Sequence, residues 1–364
     1  MALVTTDAVP FLGASLLIAR RDIAPASGSR SGSDDDFVDP NFFDDDYSVA
    51  ATTGVCRVWE GAAVLVRHLG ECEALRARLR GRRVLELGAG VGLCGLAAAA
   101  AGAHVLLTDL PAVVDEVLWE NVRRNRRPRE DDDRDGDRDG DGEDERRGEA
   151  PAAATSRAPT TTASPPSSSS SSTWSGATVP IVGPGRGTAA SQALDWTKPV
   201  AAQLESQSRI ARDALSRADA ERAAGDAAAE AFWRRRADPP RDPRRAAILL
   251  AAECVWLREL VEPFAETCAA LMRPRGDAEA CVLAFRDRSG AHRVVPGSSG
   301  SGGGSDVRSG GVVQHSGGGA FVPAAAVLEA FAARGCGCAT TATFPSEEDE
   351  GFFVHIFEIT PPAE

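Results

Sequence analysis

The stretch Val84-Leu85-Glu86-Leu87-Gly88-Ala89-Gly90-Val91-Gly92-Leu93 decides the fold, because a short apolar strand runs into a glycine-rich turn that opens an alanine-rich helix. Glycines at such a turn let the backbone approach a ligand closely, and the N–H groups at the start of the helix point towards it. The stretch therefore predicts a nucleotide-type binding site at the end of a buried strand.

Two glycine patterns overlap in this stretch. Gly90-x-Gly92-x-x-Gly95 fits the dinucleotide fingerprint, whereas Glu86-x-Gly88-x-Gly90-x-Gly92 fits the turn of S-adenosylmethionine (SAM) methyltransferases. A glycine motif alone does not separate the two. Asp109, at the end of the next predicted strand, suits either ligand, because a carboxylate there accepts hydrogen bonds from both ribose hydroxyls.

Apolar strands and helical stretches alternate along the chain on both sides of the turn. This alternation predicts a Rossmann-like α/β fold, a doubly wound and mostly parallel sheet with helices on both faces. Ligands of such sheets bind at the carboxyl ends of the strands. The predicted strands cover 14–19, 83–87, 104–108, 246–252, 280–285 and 352–359, and the predicted helices cover 93–101, 112–125, 200–236, 258–272 and 323–334.

Polar, low-complexity segments interrupt this pattern and are predicted to be disordered, because they hold too few apolar residues to form a core. The resulting organisation has six parts. They are an N-terminal strand with an acidic and serine-rich segment (1–53), a SAM-binding first half (54–125), a disordered insertion (126–190), a second half (191–286), a disordered Gly/Ser insertion (287–320), and a C-terminal helix and strands that complete the sheet (321–364).

The charge balance excludes some partners. The chain carries 40 Lys+Arg against 53 Asp+Glu, a net charge of −13, and an acidic chain is a poor match for phosphate backbones. No run of about 18 apolar residues is present, so no membrane partner is predicted. The eight cysteines lack zinc-type spacing, which favours reduced core thiols without a metal site. These features favour the cytoplasm, with the nucleus as the alternative.

Two further clusters lie at positions expected to face the ligand, Leu194-Asp195-Trp196 and Ala251-Ala252-Glu253-Cys254-Val255-Trp256. Together with Leu107-Thr108-Asp109-Leu110 and with Gly54-Val55-Cys56-Arg57-Val58-Trp59-Glu60, they resemble the seven-strand SAM-dependent methyltransferases. Within these, the chain resembles the protein-lysine methyltransferase group called methyltransferase family 16. The resemblance runs over 54–125 and 193–285, with a weaker echo at 352–359. It implies a seven-strand sheet, SAM as cofactor and a protein substrate with a lysine acceptor.

The resemblance also implies roles for individual residues. The family's characteristic acidic residue, followed three positions later by an aromatic one, reads here as Glu253 and Trp256. Glu253 is predicted to orient the acceptor amine and Trp256 to wall the acceptor channel; most members have Asp and Tyr or Phe instead. A tryptophan offers no phenol hydroxyl, but it can still face a cation. The predicted cofactor-binding residues are Trp59, Glu86, Gly88, Ala89, Gly90, Asp109, Asp195, Trp196 and Ala252. Of these, Gly88, Ala89 and Gly90 are predicted to cradle the methionine part, Asp109 to bind the ribose and Trp196 to border the adenine.

Three alternatives stay open at this point. The first is SAM-dependent methylation of a small molecule or another acceptor. The second is a NAD-dependent oxidoreductase using the Gly90 fingerprint, although the five histidines form no credible proton-transfer pair. The third is a non-catalytic SAM-binding scaffold. The sequence carries no information on the oligomeric state.

Overall fold

The structure is a computed structural model, and it describes residues 4–21, 54–128, 173–287 and 322–363. All of these except Pro128 belong to one compact unit. Its strands are β1 Val4–Phe11, β2 Ala14–Arg21, β3 Arg83–Leu87, β4 His104–Asp109, β5 Val179–Pro180, β6 Thr188–Ala193, β7 Ile248–Ala252, β8 Cys281–Arg286, β9 Gly337–Pro345 and β10 Phe353–Thr360.

The principal helices lie between these strands. They are α1 Glu60–Glu71, α2 Glu73–Leu79, α3 Leu93–Ala100, α4 Trp119–Arg124 (preceded by Pro111–Val113 and a π-helical turn, Val114–Leu118), α5 Val200–Ala224, α6 Ala227–Arg236, α7 Arg258–Leu271 and α8 Ala324–Ala332. No helix within the described ranges is long and apolar enough to cross a membrane.

The main sheet has the order β5-β6-β4-β3-β7-β8-β10-β9. The five strands from β6 to β8 are parallel, whereas β5, β10 and β9 pair antiparallel. This confirms the predicted doubly wound α/β fold. The sheet has one more strand than the seven implied by the resemblance, because the two-residue β5 adds to one edge. β9 was not predicted as a strand, because its small residues show no apolar alternation. In the structure most of them are exposed.

Consecutive residues of the central strands point to opposite faces and join two separate cores. Val84 belongs to the core beneath α1, α3 and α4, while Leu85 belongs to the core beneath α7 and α8. Alternation is a property of every strand. Helices cover both faces of the sheet, so the central strands are mostly apolar along their whole length. The ends of these strands remain accessible to a ligand.

The predicted disordered insertion 126–190 is too wide, because residues 173–190 are folded. Trp174 is buried and donates its indole N–H to the His104 carbonyl (2.7 Å). The segment is rich in Gly and Ala, a composition typical of a linker. Here the small residues let the backbone run close to α3, because a Cβ on Gly187 would overlap the Ala99 carbonyl. Residues 129–172 and 288–321, where the rest of the predicted insertions falls, lie outside the described residues.

The single helix predicted over 200–236 is wrong in one respect, because the structure splits it into α5 and α6. Gly225 ends α5 in a left-handed conformation (φ +80°), and the Asp226 carboxylate accepts the Ala229 N–H at the start of α6. These are the usual stop and start signals of helices. The two helices fold back on each other, and the Arg217 guanidinium lies 4.5 Å from the Trp233 ring centroid.

The N-terminal strand predicted at 14–19 exists, but it pairs with β1 in a hairpin of its own. Two asparagines on α4 and at its C-cap attach this hairpin to the domain. Asn121 accepts from the Ala19 N–H and donates to the Ala19 carbonyl, and Asn125 does the same with Leu17, with all four distances at 2.8–2.9 Å. The side-chain amides thus replace a neighbouring strand.

Candidate active site

A cavity of about 480 Å³ opens at the carboxyl edge of the sheet, where β3, β4, β6 and β7 end. This is the edge at which the strand alternation places a ligand, and the size is typical of a small-molecule site. All eleven sequence-predicted site residues line it. They are Trp59, Glu86, Gly88, Ala89, Gly90, Asp109, Asp195, Trp196, Ala252, Glu253 and Trp256.

The glycine turn forms the floor of the cavity, and two of its residues must be glycine. Gly88 has φ +63°, and a Cβ there would lie 2.5 Å from the Cys254 Cβ and 3.1 Å from the Trp196 ring. Gly90 has φ +53°, and its Cβ would lie 3.0 Å from the Gly54 carbonyl oxygen. Side chains would therefore both strain the backbone and fill the cradle.

Asp109 ends β4 beside this turn and holds it in place. Its carboxylate accepts hydrogen bonds from the N–H of Gly90 (2.8 Å) and the N–H of Leu110 (2.7 Å). Burial raises the pKa of this carboxyl to about 6, although the two N–H donors act in the opposite direction. Each carboxylate oxygen has a second lone pair, so Asp109 keeps acceptor capacity for a ligand's hydroxyl groups.

Glu86 lies in β3, one layer below the turn. Its carboxyl accepts the Gly95 N–H (2.9 Å) near the start of α3. Burial raises the pKa of Glu86 to about 8, because water is excluded from around its charged form. Glu86 therefore supports the turn and α3 from inside the core in addition to lining the cavity.

The pKa of Glu86 makes the stability of the protein depend on pH. Between pH 5 and pH 8 the folded chain keeps a proton on Glu86 that the unfolded chain, with a pKa near 4.5, has lost. The free energy of unfolding therefore falls as the pH rises through this window. Urea unfolding of the wild type and of Glu86→Gln at pH 5.5 and 8.5 measures the effect. Between pH 5.5 and 8.5, the free energy of unfolding of the wild type should fall by roughly 1 to 4 kcal/mol more than that of the variant. The same pH dependence in both proteins would contradict the raised pKa of Glu86.

Asp195 and Trp196 form the wall beyond β6. The Asp195 carboxylate pairs with the Lys198 ammonium (2.7 Å) and accepts from the Thr197 N–H (2.9 Å), so it shapes the loop by its local bonds. The Trp196 ring packs edge-on against Phe264, with ring centroids 5.1 Å apart. Its buried indole N–H has no acceptor among the described residues. A buried donor of this kind is costly unless a ligand satisfies it.

Gln203 on α5 fixes this loop, and sequence reasoning missed it. Its side-chain oxygen accepts the Asp195 N–H, and its amide donates to the carbonyls of Asp195 and Lys198, all at 2.8 Å. A glutamine near the start of an exposed helix gives no sequence signal for such a role. The first turns of α5 therefore hold the wall of the cavity.

Glu253 follows β7 in a left-handed conformation (φ +49°), which is uncommon for any residue with a side chain. Its carboxylate accepts the Gly61 N–H (2.6 Å) near the N-terminus of α1. A Cβ on Gly61 would lie 2.5 Å from the Glu253 Cγ, so glycine is required there. A strained residue at a cavity is typical of a functional position.

The cavity is also lined by residues that the sequence did not assign to it, among them an arginine and two cysteines. Arg57 lies with its guanidinium 4.4 Å from the Trp59 ring centroid. Cys94 and Cys254, predicted as core residues, both contribute to the wall. Burial raises the pKa of both thiols well above the ordinary range, which keeps them protonated and poorly reactive.

Residues 48–133 match a protein-family model described as "Lysine methyltransferase". EEF1A lysine methyltransferase 3 of Mus musculus is 39% identical over 72 residues, which cover 20% of this chain and 29% of that protein. Protein N-lysine methyltransferase METTL21A of Danio rerio is 46% identical over 68 residues, covering 19% and 29%. The matched region thus spans under a third of either relative's length.

Among solved structures, the magnesium protoporphyrin IX methyltransferase of Synechocystis PCC 6803 with bound SAH overlaps most of the chain. It covers 83% of this chain and 81% of its own, at 10% identity and a TM-score of 0.37, a likeness too distant to carry an argument. The range that the family model matches includes the segment around Trp59, the glycine turn and Asp109. Residues 48–133 therefore match the lysine methyltransferase family, which confirms the resemblance drawn from the motifs.

Proposed function

We propose that this chain is a SAM-dependent N-methyltransferase that methylates lysine side chains of a protein substrate. The observation that carries the proposal is the single cavity at the carboxyl edge of the sheet, in which all eleven residues predicted from the motifs meet. The match of residues 48–133 to lysine methyltransferases supports the choice of reaction. The eight free cysteines support a reducing compartment such as the cytoplasm.

The cavity suits SAM in shape and in polarity. Gly88 and Gly90 leave a cradle that a Cβ would fill, which suits the amino-acid part of the cofactor. Asp109 keeps acceptor capacity for the ribose hydroxyls, and the buried indole N–H of Trp196 suits a ring nitrogen of adenine. Trp59 and Ala252 also line the cavity.

When bound, SAM supplies a methyl group on a positively charged sulfur, from which a nitrogen lone pair displaces it in line. Residues of the chain then have two tasks, to orient the acceptor nitrogen and to keep water away. Glu253, held by the Gly61 N–H, accepts a hydrogen bond from the acceptor amine. Trp256 walls the channel and faces the cationic amine with its ring. The acceptor ammonium would lose one proton to solvent before transfer, which frees the lone pair. The methylated nitrogen is again cationic, and the thioether that is left, SAH, is neutral at sulfur.

Transfer of radiolabelled methyl from SAM into fractionated cell proteins tests this function. The wild-type chain should label a discrete protein band, and hydrolysis of that band should yield methyllysine. Label in a small molecule only would move the activity to another acceptor. Calorimetric binding of SAH without any transfer would favour a non-catalytic SAM-binding scaffold, and no binding at all would remove the proposal.

A further inference from the structure

Arg57 is the one basic residue among those that line the cavity, in the part of the chain that the structure describes. Five acidic residues line the same cavity: Glu86, Asp109, Asp195, Glu253 and Glu259. SAM and SAH both end in an amino acid whose α-carboxylate is negative at neutral pH. A cationic guanidinium is the group that recognises a carboxylate best, so a lone arginine in an acidic cavity is a candidate partner.

Arg57 also lies on the correct side of the cavity for this ligand group. It comes three residues after Gly54, whose Cα and carbonyl lie against the glycine turn at Gly90. The turn is the part of the cavity proposed to cradle the amino-acid end of the cofactor. The Arg57 guanidinium stacks on the ring of Trp59, which itself lines the cavity.

A loop at 346–351, here called the acidic loop, holds Arg57 from the other side. Glu348 of this loop binds Arg57 at 2.7 Å through one carboxylate oxygen and Arg286 at 2.7 Å through the other. Arg286 is buried and also pairs with Glu60 (3.0 Å). If Arg57 turns towards a ligand, Glu348 therefore keeps a charged partner, and the rearrangement leaves no carboxylate unpaired.

We infer that Arg57 binds the α-carboxylate at the amino-acid end of SAM and SAH, and that it thereby selects these ligands over nucleosides that lack an amino acid. This inference rests on the proposed function, since it takes SAM as the cofactor. It adds a charge-selective subsite that the glycine motif does not contain. The subsite is coupled to the acidic loop, because Glu348 and the ligand carboxylate bind the same guanidinium.

Calorimetry with two ligands tests the inference. SAH carries the amino acid, whereas 5′-methylthioadenosine has the same nucleoside without it. Arg57→Met keeps an apolar stem against Trp59 but removes the charge. It should weaken SAH binding about 10-fold or more and change 5′-methylthioadenosine binding less than about 2-fold. Arg67→Met is the matched control, because Arg67 pairs with Glu347 of the same loop but does not line the cavity.

The outcomes separate this inference from the proposed function. If the wild type binds SAH and Arg57→Met weakens both ligands equally or neither, Arg57 does not bind the carboxylate. If Arg67→Met reproduces the loss of SAH binding, the loop and not the guanidinium carries the effect. Should Arg57→Met fail to fold, Arg57→Gln provides the same readout with a polar stem. If the wild type binds neither ligand, the proposed function itself is wrong.

Discussion

Replacing Gly88 by alanine should weaken the binding of SAH about 100-fold. The residue has φ +63°, and an added methyl group would lie 2.5 Å from the Cys254 Cβ and 3.1 Å from the Trp196 ring. A left-handed conformation costs a residue with a side chain about 1 to 2 kcal/mol, and overpacking adds about 1 to 3 kcal/mol. Part of the clash is relieved when the turn moves into the ligand's volume. Calorimetric titration with SAH measures the loss.

Gly225→Ala is the matched control for this variant. Gly225 also has a positive φ (+80°), but no atom lies within 4 Å of the position of its Cβ, and it is in the α5–α6 turn. This control should lower the free energy of unfolding by about 1 to 2 kcal/mol and leave SAH affinity unchanged. Full SAH affinity in folded Gly88→Ala would contradict the role of the turn.

Replacing Glu253 by glutamine should reduce methyl transfer about 100-fold or more while SAH affinity changes less than about 3-fold. Glutamine keeps the size of the side chain and an oxygen that accepts the Gly61 N–H, so the helix start stays capped. It loses the negative charge that is proposed to orient the acceptor amine, and correct orientation accounts for a large part of such rates. Counting methyllysine formed from radiolabelled SAM, alongside SAH calorimetry, measures both quantities.

Glu259→Gln provides the control for charge. Glu259 also lines the cavity, but its side chain is exposed at the start of α7. It should retain transfer within about 3-fold. If Glu253→Gln transfers methyl groups at the wild-type rate, Glu253 acts only as a helix cap. In that case Glu253→Ala should lower the free energy of unfolding by about 1 kcal/mol, the cost of a lost helix cap, and should not otherwise reduce methyl transfer.

The site was predictable because its residues stand at the ends of buried strands. The glycine turn, Asp109 and Glu253 each follow a strand that the sequence predicts, and the carboxyl ends of parallel strands meet at one edge. Local patterns of a strand followed by a motif were therefore enough to predict that residues far apart in the sequence meet in one cavity. Trp196 follows β6, which the sequence did not predict, so its place in the site came from the family resemblance. Residues that act from elsewhere gave no such signal. Gln203 holds the cavity wall from an exposed helix, and Arg57 depends on an acidic loop nearly 300 positions later.

The errors in the fold have a common physical origin, since small residues were taken as evidence against structure. β6 and the loop before it are rich in Ala, Gly and Ser, and the same residues allow the backbone to pack directly on α3. β9 is mostly exposed, so it has no apolar alternation to read. In α5–α6, a single Gly-Asp pair breaks an otherwise uniform helical composition.

The position of β10 constrains the order in which the domain is built. β10 lies between β8 and β9 in the sheet, yet it follows both along the chain. While the protein is being synthesised, β8 and β9 therefore wait with open edges until residue 360 has left the ribosome. Open strand edges are sites of mispairing and aggregation. The half of the chain that holds the glycine turn is translated before this last strand, so the residues that line the cavity have all been synthesised before the strand that closes the sheet.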